Sequence, residues 1–256
     1  MLDSMKLSRL LSLLLVITFA ACVGQTYRAE VGPMFARARG EFALANSPQN
    51  QVLPPNNSVD GNMGLGETEF APYVALRTDY NAHRARLNGF YIDSEGSGTL
   101  ANAYGNIQAG EQVQTSLDFF TVATNYSYQV LRGAHYRLGV GGQLGFYSLD
   151  VAARSPIASE GVTSEVFVPM PYLEFEGFWE DFTFGTNMGI MSADLGDANG
   201  RYLDLEGYAN WAVNEDYDVK FGYRYILIDG YGRASSRDFD ADVDVQGFYL
   251  SAGIRF

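Results

Sequence analysis

The sequence contains few residues that combine into a recognisable catalytic set. Its two histidines, His83 and His135, are the side chains best suited to general acid–base chemistry near neutral pH. Neither has a nucleophilic serine or cysteine beside it, and no G-x-S-x-G elbow is present. We therefore predict no catalytic residues and no enzyme activity. A lipid- or peptide-hydrolysing enzyme, with a catalytic set assembled by the fold, is the least favoured alternative.

Aspartates recur at every second position in the densest acidic run, which spans residues 238–244. Carboxylates with this spacing lie on one face of a strand, and Ca²⁺ and Mg²⁺ prefer oxygen ligands. The run lacks the glycine that an EF-hand loop needs at its sixth position, so a solvated strand edge is the favoured interpretation. The weak metal candidates are Asp238, Asp240, Asp242 and Asp244; otherwise we predict no metal and no cofactor.

Composition excludes several classes of protein. The 256 residues are 47% hydrophobic and only 18% charged, with 28 Gly and a net charge of −13. Such an acidic chain is a poor partner for nucleic acid, which proteins bind by neutralising phosphates with Lys and Arg. One cysteine rules out an internal disulfide framework and a Cys-based zinc site.

The N-terminus has the pattern of a targeting segment. Lys6 and Arg9 precede an apolar run that ends in small residues, as in a secretory signal peptide. We predict a cleaved signal peptide at residues 1–24 and a mature domain at 25–256. Lipoprotein processing at Cys22 is the alternative, although Phe19 occupies the position where a lipobox usually has Leu.

The rest of the chain alternates at period 2 and is rich in aromatic and β-branched residues, which indicates strands. About ten candidates result, with 8 or 12 as alternatives. They are Tyr27–Leu44, Glu67–Thr78, His83–Asp93, Gln112–Tyr128, Tyr136–Asp150, Ser164–Phe178, Phe182–Met191, Arg201–Val213, Asp218–Asp229 and Asp242–Phe256. Gly32-Pro33 suggests a bulge or a change of face in the first strand.

Long and short connections alternate along the chain. The long ones include Ala45–Gly66, Ser94–Glu111, Val151–Thr163 and Gly230–Ala241, and the short ones are turns. This segregation is typical of an up-and-down barrel that crosses an outer membrane. We predict an all-β, closed, antiparallel transmembrane barrel, with both histidines at the periplasmic turns.

The last strand carries a more specific pattern. Hydrophobic residues occupy alternate positions up to a terminal aromatic: Phe248, Leu250, Ala252, Ile254 and Phe256. Here the sequence resembles the small outer-membrane β-barrels of Gram-negative bacteria, whose last strand ends in such an assembly signal. The resemblance covers residues 26–256 and implies an outer-membrane location. The implied partners are outer-membrane lipid, lipopolysaccharide and the barrel-assembly machinery; no nucleic-acid partner is expected, and the oligomeric state is left open.

If the apolar faces meet lipid, the opposite faces line a lumen. We predict a belt of charge there, formed by Arg37, Arg39, Arg77, Arg84, Arg86, Asp118, Glu174, Glu176, Asp204, Glu206, Lys220, Arg224 and Arg255. Acids on the sixth and eighth predicted strands face bases across the ring. The belt is either a salt-bridged plug that braces the wall or a narrow constriction that orients polar solutes. The predicted function is accordingly a structural or narrow passive-pore barrel, and the alternative is a surface interaction or adhesion protein that binds through its loops.

Overall fold

The computed structural model describes residues 25–46, 52–194, 199–234 and 236–256. Over these ranges the chain forms one antiparallel sheet of ten long strands and a two-residue strand, β2. The bounds are β1 (Thr26–Leu44), β2 (Asn57–Ser58), β3 (Glu69–Tyr80), β4 (His83–Thr99), β5 (Gln112–Arg132), β6 (Tyr136–Arg154), β7 (Ser159–Trp179), β8 (Phe182–Asp194), β9 (Asn199–Ala212), β10 (Tyr217–Ala234) and β11 (Arg237–Arg255). Across the described ranges we find no helix long and apolar enough to cross a membrane. The predicted signal peptide, with Cys22, lies outside the described residues.

The sheet closes on itself. Each long strand pairs with the long strand before it, and β11 returns to pair with β1 from Arg255 to Phe239. Closure removes the free edges that a sheet would otherwise expose. The prediction of a closed up-and-down barrel of ten strands is confirmed, and the alternatives of 8 and 12 strands are wrong. β2 pairs only with Glu41 and Phe42 of β1 and belongs to the first loop.

The two ends of the barrel differ. Both described chain ends and four tight turns lie at one end, here called the turn end, and the longer connections lie at the opposite loop end. In the half next to the turns, apolar side chains point outward and polar ones inward. Phe221 and Leu250 are 53% and 49% exposed, whereas Glu206 and Arg224 are 5% and 2% exposed. The apolar outer surface of this half is the lipid-facing band.

Above this band the pattern is reversed, as β5 shows. In the turn-end half of β5 the outer positions include Tyr128, Tyr126 and Phe120, and the inner ones Gln129, Ser127 and Asn125. In the loop-end half the outer positions are Asp118, Ser116, Gln114 and Gln112, and the inner ones Phe119, Leu117, Thr115 and Val113. The wall therefore extends beyond the bilayer as a water-facing barrel with an apolar core, because each half matches the solvent around it.

Two segments predicted as long connections fill the mouth of the barrel instead. From the first loop, Val59, Met63 and Leu65 are fully buried, and Thr115 Oγ1 donates a 2.5 Å hydrogen bond to the Met63 carbonyl. From the loop between β4 and β5, Leu100, Tyr104 and Ile107 are buried beside them. We call these six loop residues the apolar plug.

Three further expectations for the wall are corrected. The register of β1 is the same before and after Gly32-Pro33 against both neighbours, so these residues introduce no bulge and no change of face, although neither is paired with β11. The predicted connection Val151–Thr163 is mostly strand, with only residues 155–158 between β6 and β7. Gly230–Ala241 is likewise mostly strand. Both hairpins continue past the lipid-facing band, where an apolar core supports them.

Candidate functional site in the barrel interior

The polar side chains in the lumen form successive levels between the loop end and the turn end. The level nearest the loop end is a closed ring of hydrogen bonds. Asp204 binds the Arg224 guanidinium through both oxygens, at 2.9 and 2.7 Å. Arg224 Nη1 donates to Asn88 Oδ1 at 2.6 Å, and Asn88 donates to Asn125 at 3.1 Å. Asn125 donates to Gln143 at 2.7 Å, and Gln143 Nε2 returns to Asp204 at 2.7 Å. These five side chains come from five strands, so the ring ties β4, β5, β6, β9 and β10 together.

Glu206 is the centre of the level below. Its carboxylate accepts from both terminal nitrogens of Arg86, one of them at 2.7 Å, and from the Tyr249 hydroxyl. Asn187 Nδ2 donates to the same carboxylate at 2.8 Å. The Tyr73 ring stacks on Tyr249 with centroids 4.4 Å apart and fixes the position of that hydroxyl. A buried carboxylate needs such a full set of donors, because removing it from water is costly.

A second buried ion pair links β10 to β1. Lys220 Nζ lies 2.6 Å from both oxygens of Glu30, and Arg28 Nε lies 3.0 Å from Glu30 Oε1. Arg28 also contacts Asp218, which Arg255 reaches at 3.2 Å from the rim. This chain of charges connects β1, β10 and β11, the strands next to the closure of the ring.

The lowest level lies just above the turns. Arg84 contacts Glu176 at 3.0 Å, Asp79 at 2.6 Å and Glu174 at 3.4 Å. The Tyr208 hydroxyl donates to Glu176 at 2.7 Å. A base on β4 is thus paired with carboxylates on β7 across the lumen, and planar guanidinium groups suit such multiple pairing.

These levels leave almost no free space. The two cavities among the charged residues have volumes of about 10 Å³ each, room for about one water molecule apiece. Above them the apolar plug fills the mouth, where the Tyr104 hydroxyl donates to the Val151 carbonyl at 3.1 Å. Burial raises the pKa of the Tyr104 phenol, which keeps this donor protonated.

Most of the predicted belt residues point into this interior. The structure places the following on inward positions: Arg77, Arg84, Arg86, Glu174, Glu176, Asp204, Glu206, Lys220 and Arg224, with Arg255 at the rim. The acids of β7 and β9 do face bases of β3, β4 and β10. The network also includes Arg28, Glu30 and Asp218, which the sequence interpretation missed. The sequence did contain a signal for Arg28 and Glu30. They lie two residues apart, on the same strand face as Met34, which points inward.

Three predicted belt residues lie outside instead. Arg37 pairs in register with Gln246 and Arg39 with Asp244, on the outer face that includes Phe248. Asp118 lies on the outer face of β5 and accepts a hydrogen bond from Tyr91. They were misplaced because the loop-end half is apolar inside, so the assumption that apolar residues face outward fails there.

The remaining candidates form no catalytic or metal centre in the described ranges. Asp240, Asp242 and Asp244 follow the outer face of β11 above the lipid-facing band, whereas Asp238 is buried and Arg233 Nε binds it at 2.8 Å. No group of three or more His, Cys, Asp or Glu side chains within the described residues is arranged to hold a metal ion. Both histidines lie at the turn end, where His83 Nδ1 is 2.7 Å from the Tyr126 hydroxyl.

A closed ring of strands, an apolar outer band and a charged interior define an outer-membrane β-barrel. Similar folds are found among solved structures. OmpT, an outer membrane protease of Escherichia coli, superposes with a TM-score of 0.53 at 12% identity, covering 93% of this chain and 99% of its own. The attachment invasion protein Ail of Yersinia pestis gives a TM-score of 0.40 at 11% identity, with 91% and 100% covered. Neisserial surface protein A gives a TM-score of 0.37 at 12% identity, with 91% and 97% covered.

These similarities concern the fold alone. No protein-family model matches the sequence, and the search of curated proteins gives no match. The chain has the fold of an outer-membrane β-barrel, as the sequence predicted.

Proposed function

We propose that this barrel is a closed, structural protein of the outer membrane rather than a passive pore. The observation that supports the proposal is the double occlusion of the lumen, by the hydrogen-bonded charge network and by the apolar plug. An ion crossing the network must separate Arg86 from Glu206 or open the ring around Asp204. Breaking one buried pair costs about 3–5 kcal/mol, and several pairs lie in series.

Conductance in planar lipid bilayers tests the proposal. Folded, full-length mature protein is expected to insert without producing current steps. The variant Asp204→Ala/Arg224→Ala/Glu206→Ala/Arg86→Ala, which removes two levels of the network, is the comparison. Wild-type protein that gives reproducible single-channel steps, altered by neutralising Arg84 and Glu174, contradicts the proposal and supports the narrow-pore alternative.

A surface interaction role is the second candidate, and the acidic outer wall above the lipid-facing band favours it. Asp118, Asp150, Glu165 and Asp229 lie on outward positions there, while Val59, Met63 and Leu65 of the first loop pack inward. Such a wall suits a basic partner. Cells that display the barrel should adhere to a polylysine-coated surface and lose this adhesion when the four acids become amides. Equal adhesion by cells with the wild-type barrel and cells with the amide variant excludes a role for these acids.

The proposal assigns no catalytic activity. It is supported by the position of His83 and His135, which are exposed at the turn end. Lipid, lipopolysaccharide and the assembly machinery stay proposed partners, and recognition of the terminal strand by that machinery stays a prediction.

A further inference from the structure

The barrel wall is not paired along its full height. Between β7 and β8 the last pair toward the loop end is Tyr172 with Gly189. Above it β7 stays paired with β6 as far as Ser159, and β8 stays paired with β9 as far as Asp194. In the described residues these two strands therefore separate from each other while each keeps its other neighbour. We call this opening the β7–β8 gap.

Two prolines lie on the edge of the gap. Pro169 and Pro171 lie on the loop side of the last β7–β8 pair. Both stay in register with β6 on the other side of β7. A proline has no backbone N–H to donate, so it suits an edge that has no partner. The sequence itself thus favours an unpaired edge at this point of the wall.

Behind the gap lies an apolar cavity of about 470 Å³. This volume is within the range of about 300–1,000 Å³ that is usual for small-molecule sites. Its inner surface includes Tyr147, Val168, Met191, Tyr202, Ile228 and Ala241. Gly230 and Gly232 line it and leave it open where longer side chains would fill it.

The height of the gap indicates what enters it. On its two sides, Phe167 of β7 is 67% exposed and Ile190 of β8 is 49% exposed, both on the outer face. Phe167 packs on Phe146 of β6, with ring centroids 4.8 Å apart. These residues form the loop-side margin of the lipid-facing band, so the gap opens toward the outer leaflet. The ring around Asp204 lies below the cavity.

We propose that the cavity binds one acyl chain of an outer-leaflet lipid, which enters sideways through the β7–β8 gap while the headgroup stays outside. The apolar lining matches a hydrocarbon chain, and transfer from the bilayer needs no passage through water. The inference is independent of the proposed structural role, because the charge network that occludes the lumen lies below the cavity.

Photolabelling locates the chain. Full-length mature barrel is reconstituted in nanodiscs with phosphatidylcholine that carries a diazirine on one acyl chain, and labelled residues are mapped by mass spectrometry. We expect labelling of the inward residues Val168, Met191 and Ile228 in addition to the lipid-facing surface. Labelling confined to outward residues such as Phe167 and Ile190 overturns the proposal, whatever the variants do.

A matched pair of variants tests the cavity itself. Gly230→Leu places a side chain in the cavity, and a Cβ at Gly230 meets nothing nearer than the Asn199 carbonyl at 3.3 Å. Gly207→Leu makes the same change on the lipid-facing side of the adjacent strand, where a Cβ meets nothing within 4 Å. Inward labelling should be lost in Gly230→Leu and kept in Gly207→Leu. If Gly230→Leu does not fold, as judged by heat-modifiable gel migration, Val168→Phe replaces it. Undiminished inward labelling in a folded filled variant contradicts the proposal.

Discussion

Replacing Glu206 by glutamine tests the idea that the charge network stabilises the barrel from inside. The change preserves the shape of the side chain and removes its charge. Glutamine offers one carbonyl oxygen and one NH₂ group in place of two acceptor oxygens. If the carbonyl takes the position of Oε1, the NH₂ faces Arg86 Nη1 and Asn187 Nδ2, which are both donors.

The expected cost follows from these contacts. Two hydrogen bonds to a charged acceptor are lost, at about 1.5–3 kcal/mol each, and the Arg86 guanidinium stays buried with no counter-charge at this contact. Removal of one partner of a buried pair usually costs about 3–5 kcal/mol, and we expect Glu206→Gln to lower the free energy of unfolding by this amount. The double variant Glu206→Gln/Arg86→Met should lose less free energy of unfolding than the two single variants together, because it contains no unpaired guanidinium.

Urea unfolding in short-chain lipid vesicles measures this effect through the fluorescence of Trp179 and Trp211, the two tryptophans of the chain. Both are exposed near the turn end, so their emission reports loss of the lipid contact. Glu215→Gln, in an exposed turn, is the matched control and should change stability by less than about 0.5 kcal/mol. If Glu206→Gln costs no more than this control, the network does not stabilise the barrel and the reasoning is refuted.

Two further substitutions test the interior. A Cβ added in Gly222→Ala meets the Tyr249 ring at 2.3 Å, and that ring cannot shift freely because it stacks on Tyr73. We expect Gly222→Ala to lower the free energy of unfolding in urea by about 1–3 kcal/mol. The control Gly207→Ala should change it by almost nothing. Unchanged stability would mean that the ring moves at no cost. Met63→Ala should destabilise the apolar plug by about 2–5 kcal/mol and speed proteinase K cleavage of the first loop while the barrel stays folded. Cleavage at the wild-type rate would show that the plug does not depend on this side chain.

Much of the fold could be predicted from local pattern. Strand alternation, aromatic and β-branched content and the alternation of long and short connections identified all ten wall strands, because each strand repeats the same contrast between lipid and lumen. Most strands were predicted too short at the loop end. Beyond the bilayer the hairpins β6–β7 and β10–β11 continue with reversed polarity, and such stretches look like polar connections when only the membrane pattern is considered.

Inward-facing residues were predicted correctly where the apolar face of a strand meets lipid. They were predicted wrongly where the apolar face points inward. Glu206 and Arg224 lie in strands whose apolar face meets lipid over most of their length. Arg37 lies in a strand that leaves the bilayer early, where small apolar residues turn inward. Which acid pairs with which base was not predictable, because Arg86 and Glu206 are 120 residues apart and meet only when the ring closes.

The reversal of side-chain polarity partway up the wall determines how deeply the barrel is immersed. Displacement toward the periplasm by two residues, about 6–7 Å along each strand, would carry Arg37, Asp118 and Glu165 toward hydrocarbon. An Arg or Lys side chain costs about 2–4 kcal/mol at the bilayer midplane and less near its surface, and Asp and Glu cost less than these. Displacement in the other direction would bring rings such as Phe221 toward periplasmic water. When membrane thickness varies, the surrounding lipid therefore has to stretch or compress, since the protein has one preferred vertical position.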